Sequence, residues 1–197
     1  MKTWKDIRTE TINLGFEKIK AYDKNKQAFV EAYNWAQRLM ASTIGGVHKV
    51  MSVANVAGQR VLFDLVELAR NYDDEYITLA GVGITDTNYQ RIDGYSITDN
   101  RFLLLPQDCE GVVLVHYLGM PEPISTESAD STECQLPMQW ANIMPYLMAN
   151  RLFLDDDASK ASYYWNLYAD MRDEILRREN SPQLTITGGI DIDGWCD

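Results

Sequence analysis

The sequence predicts an α+β fold: an antiparallel helical bundle core with an inserted antiparallel β-sandwich or small barrel and an extended C-terminal tail. Three observations predict it. Apolar residues recur at three- and four-residue steps near both ends of the chain, as amphipathic helices require. From Val47 to Gly119 the texture changes to short β-type runs divided by turn residues. After Glu179 the chain reads NSPQLTITGGIDIDGWCD, where LTIT alternates like a strand that has no partner of its own. The expected division is 1–46 for an N-terminal helical hairpin, 47–119 for the β insertion, 120–135 for a linker, 136–180 for a helical pair completing the bundle, and 181–197 for the tail.

Thr3 with Asp6 resembles a capping box, and Trp4, Ile7, Thr11 and Leu14 then share one side of a short helix that stops at Gly15. A second helix is predicted from about Asn25 to Ile44, where Phe29, Ala32, Tyr33, Ala36, Leu39 and Met40 keep the helical step and Gly45–Gly46 ends it. The β-type runs are HKVMSVAN, RVLFDLVEL, EYITLAGVGI, YQRIDGYSI, RFLLLP and GVVLVHYLG. Their spacing implies an antiparallel sheet, sandwich or small barrel, with cuts at Ala57–Gly58, Asp73–Asp74, Asp86–Asn88 and Thr98–Asn100. MPEPISTESADSTECQ has no period and reads as a linker.

The C-terminal helical pair is the clearest feature, with helices at Leu136–Leu154 and Ala158–Glu179 hinged by Asp155, Asp156 and Asp157. The first is apolar on several sides, so it should be buried against more than one neighbour, and Pro145 predicts a kink near Ala141–Met144. The second carries one stripe of Ala161, Tyr164, Trp165, Tyr168, Met171, Ile175 and Leu176. On its outer face Asp173–Arg177 and Glu174–Arg178 are acid-before-base pairs, each contributing roughly 0.2–0.5 kcal/mol. Ser181–Pro182 stops this helix. The alternation beyond it fits either a strand added to another subunit's sheet edge or a disordered terminus.

Composition narrows the function. A hydrophobic content of 46% with 24% charged residues is that of a globular protein. No apolar run approaches the roughly 20 residues that span a bilayer, and MKTWKDIRTE lacks the apolar core of a secretion signal, so a cytoplasmic site of synthesis is expected. Cys109, Cys134 and Cys196 are far apart and odd in number, which reads as free thiols. A formal charge of −11 argues against ordinary nucleic-acid binding. The acidity fits plain solubility, and equally a wall past which DNA slides without sticking.

Nothing in the sequence reads as catalytic. His48 and His116 lie in predicted strands and accompany no motif, and there is no nucleophile elbow, phosphate-binding loop, HExxH or paired CxxC. The acid clusters Asp73–Glu75, Asp155–Asp157 and Asp191 with Asp193 could bind a hard cation in principle; the last lacks the further oxygens of a calcium loop, and capping accounts for Asp155–Asp157. Neither a cofactor nor a metal is expected. Tyr89, Tyr95 and Tyr117 could form a sugar-stacking platform or simply pack a sheet face, while Trp140, Tyr146, Trp165 and Tyr168 read as core.

With these features in view, the chain resembles the head-to-tail connector, or adaptor, proteins of tailed bacteriophages. The residues that carry the resemblance are Leu136–Pro137, the helix through Tyr146, Ala149 and Leu152, the hinge Asp155–Asp157, and Ala161 through Tyr164, Tyr168 and Met171. Near the start, Thr3, Leu14–Gly15 and Asn34–Trp35–Ala36 match as well. The resemblance implies a structural virion protein of the neck, not an enzyme: a twelve-fold ring of copies beneath the portal protein, carrying a tail or stopper protein and passing genomic DNA through its lumen without specific binding or any membrane contact. It also implies that C-terminal segments reach the portal or a neighbouring subunit, which assigns partner contacts to Leu184, Thr185, Ile186, Thr187, Ile190 and Trp195. The alternative is a β-sandwich binding module for a carbohydrate or host surface, anchored to the virion by its helices.

Overall fold

The computed structural model describes residues 1–15, 18–56, 58, 61–72 and 74–180, apart from the side chains of 18–21 and 180. Helix α1 (Trp4–Asn13) starts on the expected capping box: the Thr3 hydroxyl accepts from the Asp6 N–H at 3.3 Å, and the Asp6 carboxylate accepts from the Thr3 N–H at 2.9 Å. Trp4, Ile7 and Thr11 are buried on one side. Helix α2 (Lys18–Ile44) begins earlier than its periodicity suggests, but Asn25 breaks it with φ −123° and ψ 26°, so the regular run does start near the expected residue. Gly45 and Gly46 end it at positive φ. A side chain at Gly46 would lie only 3.1 Å from the Gly119 carbonyl oxygen, so glycine lets the helix end sit directly on the sheet.

Six strands and one short helix follow: β1 (Val47–Asn55), β2 (Leu62–Asp64), α3 (Leu65–Arg70), β3 (Tyr76–Asp86), β4 (Ser96–Thr98), β5 (Phe102–Leu104) and β6 (Gly111–Gly119). They form two antiparallel three-stranded sheets, ordered β1-β6-β3 and β2-β5-β4, with no closed barrel among the described residues. Both sheets feed one apolar core that includes Met51, Ile84, Leu103, Val113 and Val115. The run RVLFDLVEL, expected as a strand, divides at Asp64, whose carboxylate accepts from the N–H groups of Val66 and Glu67 and starts α3. Leu65 and Ala69, four apart, then bury the face of a helical turn. Turn chemistry placed the β4–β5 connection correctly, with Asp99 and Asn100 at φ 54° and 51°.

Helices α4 (Met138–Phe153) and α5 (Ala158–Asn180) match the expected pair within two residues. α4 is buried on several sides because α1, α2 and α5 all pack on it, and it runs unbroken through Pro145. Asp157 opens α5 by accepting from the Lys160 N–H at 3.1 Å, and that bond holds its carboxyl below the usual range. On α5, Ala161, Tyr164 and Tyr168 are buried as expected. Trp165 is not: it is 40% exposed, because its position lies at the margin of the stripe, where its ring tilts against Tyr168 instead of entering the core. Glu174 pairs with Arg178, whereas the Asp173 carboxylate takes Arg172 and leaves Arg177 on its backbone carbonyl.

The segment 120–135, which has no period, is nevertheless tightly held. Ile124, Cys134 and Leu136 enter the helical core, and Thr3 bridges Glu133. The Asn34 amide donates to the Ile124 carbonyl at 2.8 Å and accepts from the Ile124 N–H at 2.9 Å, imitating a strand partner. Arg8 grips Asp130 through two bonds of 2.8 and 3.2 Å.

Candidate docking surfaces

Where α2 passes into β1, the chain leaves an open groove of about 470 Å³ lined by His48, Lys49, Val50, Tyr72, Asp74 and Glu122. A second hollow of about 370 Å³, lined by Gly46, Leu136, Pro137 and Met138, shares Met1, Val47, His48 and Gln135 with the first. Together they make one trough along the start of β1. Its floor is electrostatically closed: Lys49 Nζ lies 2.7 Å from Asp74 Oδ1, and the Tyr117 hydroxyl donates to Asp74 Oδ2 at 2.6 Å. Burial and the Asp74 charge push the Tyr117 phenol far upward, so it stays protonated and remains a donor. A lysine in mid-strand was the only sequence signal for this cluster, and it did not reveal Asp74 as the partner.

The two histidines also meet. His116 Nδ1 lies 3.3 Å from His48 Nε2, and His116 Nε2 lies 3.0 Å from the Thr85 hydroxyl. Burial, and next the neighbouring His48, lower the His116 pKa. Their strands pair Val50 with His116 and His48 with Leu118, so the imidazoles are diagonal neighbours on one sheet face. The Thr85 hydroxyl that meets His116 is itself buried, and among the described residues no group of three or more His, Cys, Asp or Glu side chains could hold a metal ion. A third hollow of about 520 Å³ lies between α1 and α2, lined by Lys5, Arg8, Thr9, Ile12, Tyr22 and Asp23, with the Arg8 guanidinium 4.4 Å above the Tyr22 ring.

The tyrosines proposed as a platform are not assembled. Tyr89 is 73% exposed, Tyr117 is 2% exposed in the core, and the Tyr95 hydroxyl packs against Gly83. Leu184, Thr185, Ile186, Thr187, Ile190 and Trp195 lie outside the described residues, as do Asp73, Asp191 and Asp193. Exposed large apolar side chains include Met138, Leu154, Tyr163 and Trp165 on the helices and Val50, Val82 and Val112 on the β strands.

A family model described as SU10 adaptor protein matches residues 3–187, spanning the helices, both sheets and the start of the tail. The chain belongs to that family. It is therefore a phage adaptor, a structural protein of the virion neck that associates with portal and tail components. Searched against curated proteins, it finds no match. The matched range includes residues 47–119. No helix among the described residues is long and apolar enough to cross a membrane.

Proposed function

We propose that the protein acts as a ring of twelve copies beneath the portal, extending the DNA channel and offering the tail or stopper a platform. The observation that carries this reading is the family match over residues 3–187. In it, the helical hairpin 1–46 and the pair 136–180 form the bundle, 47–119 is a two-sheet sandwich, 120–135 is the strapped connection and 181–197 is a docking tail. Exposed Trp165 and Tyr163 suit subunit contacts, because aromatic side chains dominate interface hot spots. The charge of −11 suits a lumen that repels DNA and lets it slide. Leu184, Thr185, Ile186, Thr187, Ile190 and Trp195 serve as contacts to a portal or neighbouring subunit.

Electron microscopy of particles recovered through a tag on this protein tests the reading. Rotationally symmetric rings attached to portals are expected. Scattered single copies on fibres or capsid surfaces would overturn it. Deleting 184–197 should leave the fold intact and abolish portal association, and undiminished decoration of portals by the truncated protein would remove the tail from its docking role.

A further inference from the structure

We propose that the free edge of β1 is the seat of Leu184–Thr187, which adds beside it as a fourth strand of the β1-β6-β3 sheet. β1 pairs with β6 over its whole length without a register shift, and its other edge has no partner strand among the described residues. A nine-residue edge of this kind is a template for another strand unless something blunts it. The strand has no proline, its one charged side chain, Lys49, is turned to Asp74, and the Tyr72 hydroxyl meets a backbone group only at the Ser52 carbonyl, 3.4 Å away and beyond the Val47–Val50 stretch that a four-residue segment would pair. Val50 is exposed on the strand's outer face.

The trough described above takes in Val47–Val50 at the start of this strand, and the end of α5 is tied to the start of α4, next to its lining. Near the end of α5, Glu179 accepts bonds from the Gln139 side chain and the Trp140 indole. Those residues follow Pro137 and Met138, which line the lower part of the trough with Val47. Ser181–Gln183 provide about 10 Å of extended reach. A segment entering there runs from the Val47 end toward Asn55, parallel to β1.

The sequence of the segment suits the place. In extended form Leu184 and Ile186 share one face and Thr185 and Thr187 the other, and three of the four are β-branched. The family match runs through Thr187, so it includes the candidate strand. Ile190 and Trp195 lie past the paired stretch and remain for the portal. The inference rests on the tail reading above for Ile190 and Trp195, gives Leu184–Thr187 an acceptor within the same chain in place of the portal or a neighbouring subunit, and needs no portal.

Hydrogen exchange on the full chain, followed by mass spectrometry, tests it without any phage component. Amides of residues 184–187 should exchange about tenfold or more slowly than an unstructured chain. Thr185→Pro and Ile186→Pro together, one of which removes a ladder donor whichever way the strand faces, should release them and speed exchange along β1, with α4 unchanged as the internal control. Ile186→Val should keep the protection. Protection is expected to survive dilution, because the occupant is the chain's own tail. Exchange of 184–187 at the unstructured rate, protection that fades on dilution, or β1 protection indifferent to the double proline variant would overturn the proposal while leaving the ring reading to microscopy.

Discussion

His116 gives the protein a pH response from its place in the sheet. Its imidazole is buried between Thr85 and His48, and its pKa is lowered in the fold. The unfolded chain, with a histidine pKa near 6.5, therefore binds a proton that the folded chain refuses. Stability from this residue is complete above about pH 6.5 and is lost as pH falls below it toward the folded value. Urea midpoints should decline between pH 7 and pH 5, and His116→Gln should flatten the slope. Asp6, Asp64, Asp130 and Asp157 also have lowered pKa values, but their losses begin only near the carboxylate range of about 4, so the windows separate. Gly83 gives a second residue-scale test. It has φ 77°, and a Cβ there would sit 2.6 Å from the Tyr95 hydroxyl oxygen. Gly83→Ala should cost about 1–3 kcal/mol in thermal denaturation from backbone strain, with part of any further loss recovered by Tyr95→Phe.

Among the elements, the segment 120–135 shows where periodicity is silent. It has the composition of a linker, yet it is clamped by Asn34, Arg8 and the backbone at Thr3. Asn34→Ala strips both partners from Ile124 at once and should cost about 1–3 kcal/mol for each backbone group left unsatisfied. Limited proteolysis should then cut within 120–135 first. If that segment stays as resistant as in the parent protein, Asn34 is not the clamp. The α3 turn was hidden for a related reason: six residues are too few for a helical period to stand out from a strand, and the decision rested on the Asp64 cap. By contrast, the long helices were legible because their stripes repeat over several turns.

On the scale of the whole molecule, the helices and the sheets keep separate apolar cores, one around Trp4, Tyr33, Trp140 and Met144 and one around Met51, Leu103 and Val115. The four tryptophans among the described residues all lie in helices, and residues 47–119 contain none. With Trp195 replaced by phenylalanine, tryptophan fluorescence therefore reports the helices, and far-ultraviolet circular dichroism reports both helices and sheets. Leu103→Ala should destabilise the β core by about 2–5 kcal/mol. The expected outcome is an early dichroism phase with an unmoved fluorescence midpoint. Coincident shifts of both probes would show that the two cores unfold as one. The capacity of adaptors to assemble then rests on outer surfaces, where Trp165 is the clearest aromatic candidate for a contact.

What the sequence determined by itself is the set of long elements, the helix caps, the β texture of 47–119 and the family resemblance of the helical pair. Each rests on local spacing, which the chain carries regardless of what packs on it. Only the tertiary structure decided that the strands split into two sheets ordered β1-β6-β3 and β2-β5-β4, that Lys49 meets Asp74 and Tyr117, and that His48 meets His116. Strand pairing and side-chain partnership between distant residues depend on which surfaces exclude water together, and spacing along one strand does not encode that choice. Trp165 marks the boundary between the two kinds of knowledge: periodicity placed it in the apolar stripe and in the core, and the packing of α4 against α5 left it 40% exposed.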